Sequence, residues 1–190
     1  MPRPTADQIR AKIRAALVQE VAEKGIGSVA MGSVAKRAGV SPGTIYLHFE
    51  NKDDLLQKIY LKLKAEFHAT IVAPKDETDS AVMIRQMWNN MFDFVAKDPF
   101  GFLFLEAGSL SQILTEEQSR QIAHMPLEIA ALLQRVIDDG TLADLPVSTV
   151  IVMLVAPAMH LARHRLLQGN TITQDELDRT FERVWLSITA

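Results

Sequence analysis

The hydrophobic positions of this chain follow a helical period from one end to the other. Between Thr5 and Gly25 an apolar residue recurs about once per turn, which predicts an amphipathic helix that ends at the glycine. A second helix is predicted from about Lys52 past Phe67. Its inward positions are Leu55, Leu56, Ile59, Leu63 and Phe67. No stretch predicts a strand convincingly, so we expect an all-α fold.

The segment from Ala73 to Asp79 interrupts this pattern, and the second half of the chain resumes it. A further helix is predicted by the spacing of Ile84, Met87, Trp88, Met91 and Val95. Asp98–Pro99 is expected to end that helix and cap the next one. Capping boxes at Thr115–Gln118 and Thr173–Glu176 predict two more helix starts. We expect Pro126 to interrupt the helix that follows the first box.

Residues 25–56 contain two short helical patterns separated by a turn. Gly39 stands where the first helix must stop, and glycine takes the left-handed backbone conformation there without steric cost. The Ser41 hydroxyl is predicted to cap the second helix, and Pro42 suits its first position because that residue needs no N–H donor. The segment is therefore predicted to be a helix-turn-helix whose second helix covers Pro42–Phe49.

The second helix of this motif is expected to present its polar groups outward. The inward positions, which form a small core between the two helices, are Ala35, Val40, Ile45 and Phe49. Gly43 permits close backbone approach, while the hydroxyls of Thr44 and Tyr46 can bond to phosphate. His48 can donate, and Lys52 adds a positive charge that attracts phosphate. The predicted DNA-contacting residues are Ser41, Pro42, Gly43, Thr44, Tyr46, Leu47, His48 and Lys52.

Residues 9–60 resemble the N-terminal domain of the TetR family of one-component transcriptional regulators. The matching positions are Gly25, Val34–Ala35, Ala38–Gly39–Val40–Ser41, Gly43–Thr44–Ile45–Tyr46, His48–Phe49, Lys52 and Leu55–Leu56. The family usually has a capping threonine, which also touches phosphate, where this chain has Ala30. The missing cap should cost about 1 kcal/mol, and Gly32 a similar amount, unless Ser28 or Ser33 substitutes. No phosphate contact is carried over to Ala30.

The net charge of −3 is divided unevenly along the chain. Residues 1–66 contain eleven Lys and Arg against seven Asp and Glu, a net +4, whereas residues 67–190 contain nine against sixteen, a net −7. A basic N-terminal part favours contact with phosphate and predicts an affinity that falls with salt. Arg3 and Arg10 are further candidates for phosphate contacts.

Composition excludes several other classes of protein. Cysteine is absent, so the chain has no disulfide and no thiolate metal site. No secretion signal is visible, and we expect the apolar run Val147–Ala162 to be too short to span a membrane. His160 and His164 have the spacing of a metal-binding pair, but no third ligand is near in sequence and Arg163 and Arg165 flank them. We expect a cytoplasmic protein without metal or cofactor.

Two motifs of enzymes occur in the wrong structural context. Gly39–Gly43 matches the G-x-S-x-G pattern of a hydrolase, and Gly25–Ala30 loosely matches a dinucleotide-binding fingerprint. Both motifs require a preceding strand, whereas each is preceded here by a predicted helix. We therefore assign no catalytic residue and do not expect an enzyme.

The domains are predicted as a helix-turn-helix DNA-binding domain over residues 1–56 and a larger helical domain for ligand binding and dimerisation over residues 57–190. The helix from Val147 is apolar around most of its circumference, which favours burial against a partner. The last helix carries Phe181 and Trp185 at helical spacing. The resemblance implies that these two helices pair with their copies in a homodimer. The alternative is a monomer in which the apolar helix is wholly internal.

Methionine and aromatic residues are concentrated in the middle helices. Such residues are typical of an ordinary core and also of a cavity for apolar ligands. The resemblance implies an inducer cavity, for which the predicted residues are Trp88, Phe92, Phe104, Met125, Met153 and His160. We therefore predict a homodimeric repressor that a small apolar or amphipathic ligand releases from a palindromic double-stranded DNA operator. The alternative is a helical ligand-binding or scaffold protein whose DNA-binding part is weakened by Ala30 and Gly32.

Overall fold

The computed structural model describes residues 4–107 and 110–189. These residues form ten α-helices and two short 3-10 helices and contain no strand, which confirms the all-α prediction. The α-helices are α1 (Ala6–Lys24), α2 (Met31–Ala38), α3 (Pro42–Tyr46), α4 (Lys52–Ile71), α5 (Ser80–Lys97), α6 (Pro99–Leu105), α7 (Glu116–Ile122), α8 (His124–Asp138), α9 (Val147–Leu167) and α10 (Gln174–Ile188).

The described residues divide into two compact units. Unit 1 comprises the residues up to Ala65 together with Asp98–Ser119, and unit 2 comprises Glu66–Lys97 together with the residues from Arg120. Helix α4 therefore begins in unit 1 and ends in unit 2. The predicted boundary at residue 56 remains a prediction.

Unit 1 is built on α1, which packs against α2 and α6, while α2 packs against α3. The predicted start of α1 is confirmed by a capping box in which Thr5 and Gln8 exchange hydrogen bonds. Gly25 ends the helix at a φ of 76°. Fully buried side chains of this unit include Ile13, Leu17, Val34, Ile45, Leu55, Leu63, Phe102 and Phe104.

Asp98 connects α6 to the rest of unit 1. Its carboxylate accepts a hydrogen bond from the Gly101 backbone N–H at 2.9 Å, which confirms the predicted cap. The same carboxylate accepts from the Arg14 guanidinium of α1 at 2.5 Å. The Asp98 side chain therefore caps the start of α6 and also connects α6 to α1.

Unit 2 is organised around α9, which packs against α5, α8 and α10. Its core includes the fully buried residues Met83, Ile84, Leu133, Val136, Val150 and Ile188. Aromatic rings from α5 and α10 form a continuous cluster. Trp88 contacts Phe92 and Phe181 at centroid distances of 5.5 and 5.3 Å, and Phe181 stacks on Trp185 at 5.6 Å.

Two details of the predicted helix boundaries need correction. The break before α8 lies at Ala123, and Pro126 is the third residue of that helix, within the first turn where a missing N–H donor costs no helical hydrogen bond. Thr173 does accept from the Glu176 backbone N–H at 3.2 Å, but the reciprocal half of the capping box is absent. The Glu176 carboxylate instead accepts from the Arg165 guanidinium, with Nε at 3.1 Å.

Helix α9 is longer than its apolar run. It continues beyond Ala162 to Leu167 and has a length of 21 residues. By length and composition alone this longer helix could cross a membrane, which is weak evidence for a single helix, and 22% of its most apolar window is buried. Buried core helices of soluble proteins can have the same length and apolar composition.

Candidate nucleic-acid interface

The turn between α2 and α3 has the predicted geometry. Gly39 is left-handed, with φ 66° and ψ 33°, and its N–H continues the hydrogen bonding at the end of α2. The Ser41 hydroxyl accepts from the Thr44 backbone N–H at 3.1 Å, and Pro42 occupies the first turn of α3. The two hydroxyls of Ser41 and Thr44 lie 2.8 Å apart, within hydrogen-bond distance. Both caps are therefore confirmed.

Helix α3 is shorter than predicted. Regular helix ends at Tyr46, and the backbone continues through Leu47 and His48 as a turn. The His48 N–H donates to the Ile45 carbonyl at 3.1 Å, a tighter spacing than that of an α-helix. The Phe49 N–H also donates to the Ile45 carbonyl, at 3.0 Å, and the Phe49 side chain is buried.

The inward and outward positions of this segment separate largely as predicted. Ala35, Ile45 and Phe49 are buried, and Val40 is half-buried. Two large side chains of the segment are strongly exposed: Tyr46 at 57% and Leu47 at 83%. The remaining predicted contacts comprise the exposed Ser41, Pro42 and Gly43 and the half-buried Thr44, His48 and Lys52.

The start of α2 lacks a side-chain cap, as Ala30 predicts. In its place the Ser33 hydroxyl lies 2.8 Å from the Ala30 carbonyl and 2.8 Å from a carboxylate oxygen of Glu20 on α1. Glu20 is buried, with 2% of its surface exposed, and also accepts from the Lys24 ammonium at 2.9 Å. Ser33 therefore supplies a link between α1 and α2 rather than a conventional cap.

The pKa of Glu20 results from opposing influences. Burial is the largest and raises the pKa, because a charged carboxylate is poorly solvated there. The hydrogen bonds from Lys24 and Ser33, with the positive charges of Lys24 and Arg37, together outweigh burial and hold the pKa below 4.5. Glu20 is therefore ionised at neutral pH.

Several basic side chains near this surface already have partners within unit 1. The Lys52 ammonium donates to the Gly27 carbonyl at 3.2 Å. Arg37 forms two hydrogen bonds to the Glu23 carboxylate, at 2.9 and 2.5 Å. Arg10 pairs with Asp7 at 3.3 Å. Arg3 lies outside the described residues. A phosphate at Lys52 would have to compete with a neutral carbonyl, which is the weaker acceptor.

The predicted ligand residues are distributed over both units. Trp88, Phe92 and Met125 are buried in unit 2, where the first two rings are in contact. The other residues are the half-buried Met153 and the exposed His160, both on α9, and the fully buried Phe104 of unit 1. The Trp88 Nε1–H is buried and has no hydrogen-bond partner.

Trp88 of α5 contacts the ring of Phe181 of α10, and the sequence pattern does not predict this pair. The Arg85 guanidinium lies 4.1 Å from the centroid of that Phe181 ring. The spacing of Phe181 and Trp185 predicts only that the two side chains share one face of the last helix. Helical spacing indicates which side chains face inward, but it does not pair one helix with another.

A shallow groove lies between the end of α9 and the start of α10. It is lined by Arg165, Asn170, Thr171, Thr173, Asp175, Glu176, Arg179 and Thr180. Its charges are paired, Arg165 with Glu176 and Arg179 with Asp175. None of the predicted ligand residues lines it. Within residues 4–107 and 110–189, no three His, Asp or Glu side chains are grouped as metal ligands.

Two family models match the chain. The model for bacterial regulatory proteins of the tetR family matches residues 13–59, which contain α2 and α3. The model for a tetracyclin repressor-like C-terminal domain matches residues 83–189. The second match alone covers more than half of the chain.

Curated relatives match over shorter segments. An uncharacterized HTH-type transcriptional regulator of Haemophilus influenzae is 39% identical over 80 residues, which are 42% of this chain and 43% of that protein. The fatty acid metabolism regulator protein of Bacillus subtilis is 40% identical over 52 residues, 27% of each chain. These matches span less than half the length of the relatives.

Solved structures match over nearly the whole chain. A TetR family transcription regulator from Marinobacter aquaeolei has a TM-score of 0.81 at 21% identity, with 96% of both chains covered. A TetR-family transcriptional regulator from Haemophilus influenzae has a TM-score of 0.75 at 25% identity, with 99% of this chain and 100% of that one covered. The chain therefore belongs to the TetR family of helix-turn-helix transcriptional regulators.

Proposed function

We propose that this protein is a cytoplasmic homodimeric repressor that binds a palindromic DNA operator and is released by a small apolar or amphipathic ligand. The observation that carries the proposal is the α2–α3 turn, in which Gly39, Ser41 and Pro42 fix the start of a short recognition helix. Tyr46, the last residue of this helix, and Leu47, which follows it, are both exposed. Side chains exposed at the end of a fixed helix can enter a major groove, while Lys52 contacts the phosphate backbone.

Dimerisation is supported by uncovered apolar side chains on α9 and α10, which pack against each other. On α9, Val152 is 63% exposed, and on α10, Leu186 is 67% exposed. A second copy of the chain would cover such residues and place two recognition helices on a two-fold axis. We assign the dimer interface to these two helices.

Sedimentation at micromolar concentration tests this dimer. The wild-type chain is expected at twice its mass of 21.1 kDa, and Leu186→Glu is expected to sediment as a monomer. The matched control is Leu127→Glu, because Leu127 is equally exposed, at 68%, but lies on α8. A monomeric wild type, or equal loss of mass in both variants, would refute the assignment.

Ligand release is supported by the aromatic and methionine side chains of unit 2. We assign the ligand site to the predicted residues that lie in unit 2, which are Trp88, Phe92, Met125, Met153 and His160. The Trp88 Nε1–H supplies a buried donor for a polar group of the ligand, because it has no protein partner. The ligand must bind the DNA-free state more tightly than the DNA-bound state, since equal affinity would shift nothing.

A panel of compounds tests ligand release. It should contain apolar and amphipathic molecules of several sizes, with fatty acids among them because one relative is named a fatty acid metabolism regulator. The expected result is dissociation of the operator complex by at least one compound that also binds the free protein. A compound that binds the free protein and leaves operator affinity unchanged would count against this assignment.

DNA binding itself is tested by selecting duplexes from a random pool with the full chain. The expected product is a palindrome whose half-sites are about 34 Å apart, or a multiple of that distance. Failure to bind any duplex in low-salt buffer without a small molecule would refute the proposal. The alternative is a ligand-binding or scaffold protein whose DNA-binding part is weakened by Ala30 and Gly32. It has no observation in its favour, because the Ser33–Glu20 hydrogen bond connects α2 to α1 although Ala30 provides no cap.

A further inference from the structure

Leu47 is the most exposed large apolar side chain of the described residues. At 83% it exceeds the next, Leu127 of α8, at 68%. Its backbone is nevertheless well fixed, since its N–H donates to the Gly43 carbonyl at 3.3 Å and to the Thr44 carbonyl at 3.2 Å. A single exposed leucine is common on protein surfaces and implies nothing alone. Its position at the end of α3 gives it a specific consequence.

The recognition segment has few side chains that can identify a base by hydrogen bonds. From Ala38 to Phe49 the sequence contains no Arg, Lys, Asn, Gln, Asp or Glu. Arg and Lys form the bidentate contact to guanine, and Asn and Gln form the one to adenine, so neither contact can come from this segment. The Thr44 hydroxyl is already within hydrogen-bond distance of Ser41.

Thymine is the base that presents an apolar group in the major groove. Its C5-methyl projects from the groove edge, and apolar side chains recognise it by contact. We infer that Leu47 is a specificity-determining residue that packs against the C5-methyl of one thymine in each half-site of the operator. This inference rests on the proposed function, because it requires α3 to enter a major groove.

Deoxyuridine gives a direct test, since it lacks only the methyl group and keeps every hydrogen-bonding group of thymine. In the operator obtained by selection, each thymine pair related by the two-fold axis is replaced in turn. Burial of one methyl-sized group contributes a factor of about four in affinity, so replacement in both half-sites should weaken wild-type binding about 16-fold. This loss should occur at one symmetric pair of positions.

Variants identify the residue responsible for the loss. Leu47→Ala should bind the thymine and deoxyuridine operators with equal affinity, whereas Leu47→Met should retain most of the difference. Leu127→Ala is the matched control and should keep the full wild-type difference. Because Leu47 is exposed, its replacement should leave the circular dichroism spectrum and melting temperature unchanged.

Three outcomes would overturn the inference. The selected operator could contain no thymine in its half-sites, or wild-type binding could be insensitive to deoxyuridine at every position. Leu47→Ala could also lose as much affinity on methyl removal as the wild type does. In each case a duplex is still bound and the proposed function stands, whereas absence of binding to any duplex would refute both.

Discussion

The hydrogen bond between Ser33 and Glu20 gives a prediction whose size can be worked out from the structure. Replacing Ser33 by alanine removes one donor from a buried carboxylate that then retains Lys24. A hydrogen bond to a charged group contributes about 1.5–3 kcal/mol. Alanine recovers about 0.5 kcal/mol through its higher helix propensity in α2. We expect Ser33→Ala to lower the free energy of unfolding of unit 1 by about 1.5 kcal/mol at pH 7.

The pH dependence of this loss follows from the pKa of Glu20. The pKa is lowered in the folded protein, so the ionised carboxylate contributes stability above its unfolded value near 4.5. That contribution disappears as the pH falls through the folded pKa. Removing Ser33 moves the folded pKa of Glu20 upward. The difference between wild type and Ser33→Ala should therefore be complete at pH 7 and shrink progressively below about pH 4.5.

The positions of the aromatic residues allow unit 1 to be followed separately. Both tyrosines, Tyr46 and Tyr60, lie in unit 1, and both tryptophans lie in unit 2. Urea unfolding followed by tyrosine absorbance should detect the loss. Ser33→Thr, which keeps the hydroxyl, and Ser28→Ala, at an exposed serine, should resemble the wild type. A loss below about 0.5 kcal/mol for Ser33→Ala, or one that persists unchanged at pH 3, would refute the reasoning.

Three further predictions follow from single contacts. Gly101→Ala should lower the melting temperature, because an added Cβ would lie 2.2 Å from the Asp98 carboxylate and overpacking costs about 1–3 kcal/mol; Gly32→Ala, with no atom within 4 Å, is the control and should not. Trp88→Phe should keep the fold but weaken ligand-induced operator release, measured by fluorescence anisotropy; unchanged release would exclude Nε1 as a ligand donor. Lys52→Gln should flatten the log–log salt dependence of operator binding by about 1.8 for two protomers, and an unchanged slope would exclude a phosphate contact.

Helix starts could be predicted from the sequence because capping is local. Ser41 and Asp98 each accept from a backbone N–H three residues ahead, so residue type and spacing determine the contact. At Thr173 the cap is present but the reciprocal hydrogen bond of the capping box, which the sequence also predicts, is absent. Arg165, which lies outside the box and on another helix, is the partner of the Glu176 carboxylate. Competition from a tertiary partner has no signature in the four residues of a capping motif.

The candidate DNA-contacting surface could be predicted only in part for the same reason. The turn geometry and the outward direction of Tyr46 and Leu47 follow from the residues between Gly39 and Phe49. The contact between Lys52 and the Gly27 carbonyl does not, because it joins residues 25 positions apart. Positive charge identifies a residue that can reach phosphate. It does not reveal that the same charge has a partner within the protein.

The assignment of α6 to unit 1 has an energetic explanation. A unit formed by the first 65 residues alone would bury too small a fraction of its surface for ample stability. Helix α6 adds the fully buried side chains of Phe102 and Phe104, and the Arg14–Asp98 pair fixes it to α1. Hydrophobic periodicity predicts that these phenylalanines are buried, but it carries no information on which core receives them. The stability of unit 1, which contains the helix-turn-helix, therefore depends on a segment that begins at Asp98, more than thirty residues after Ala65.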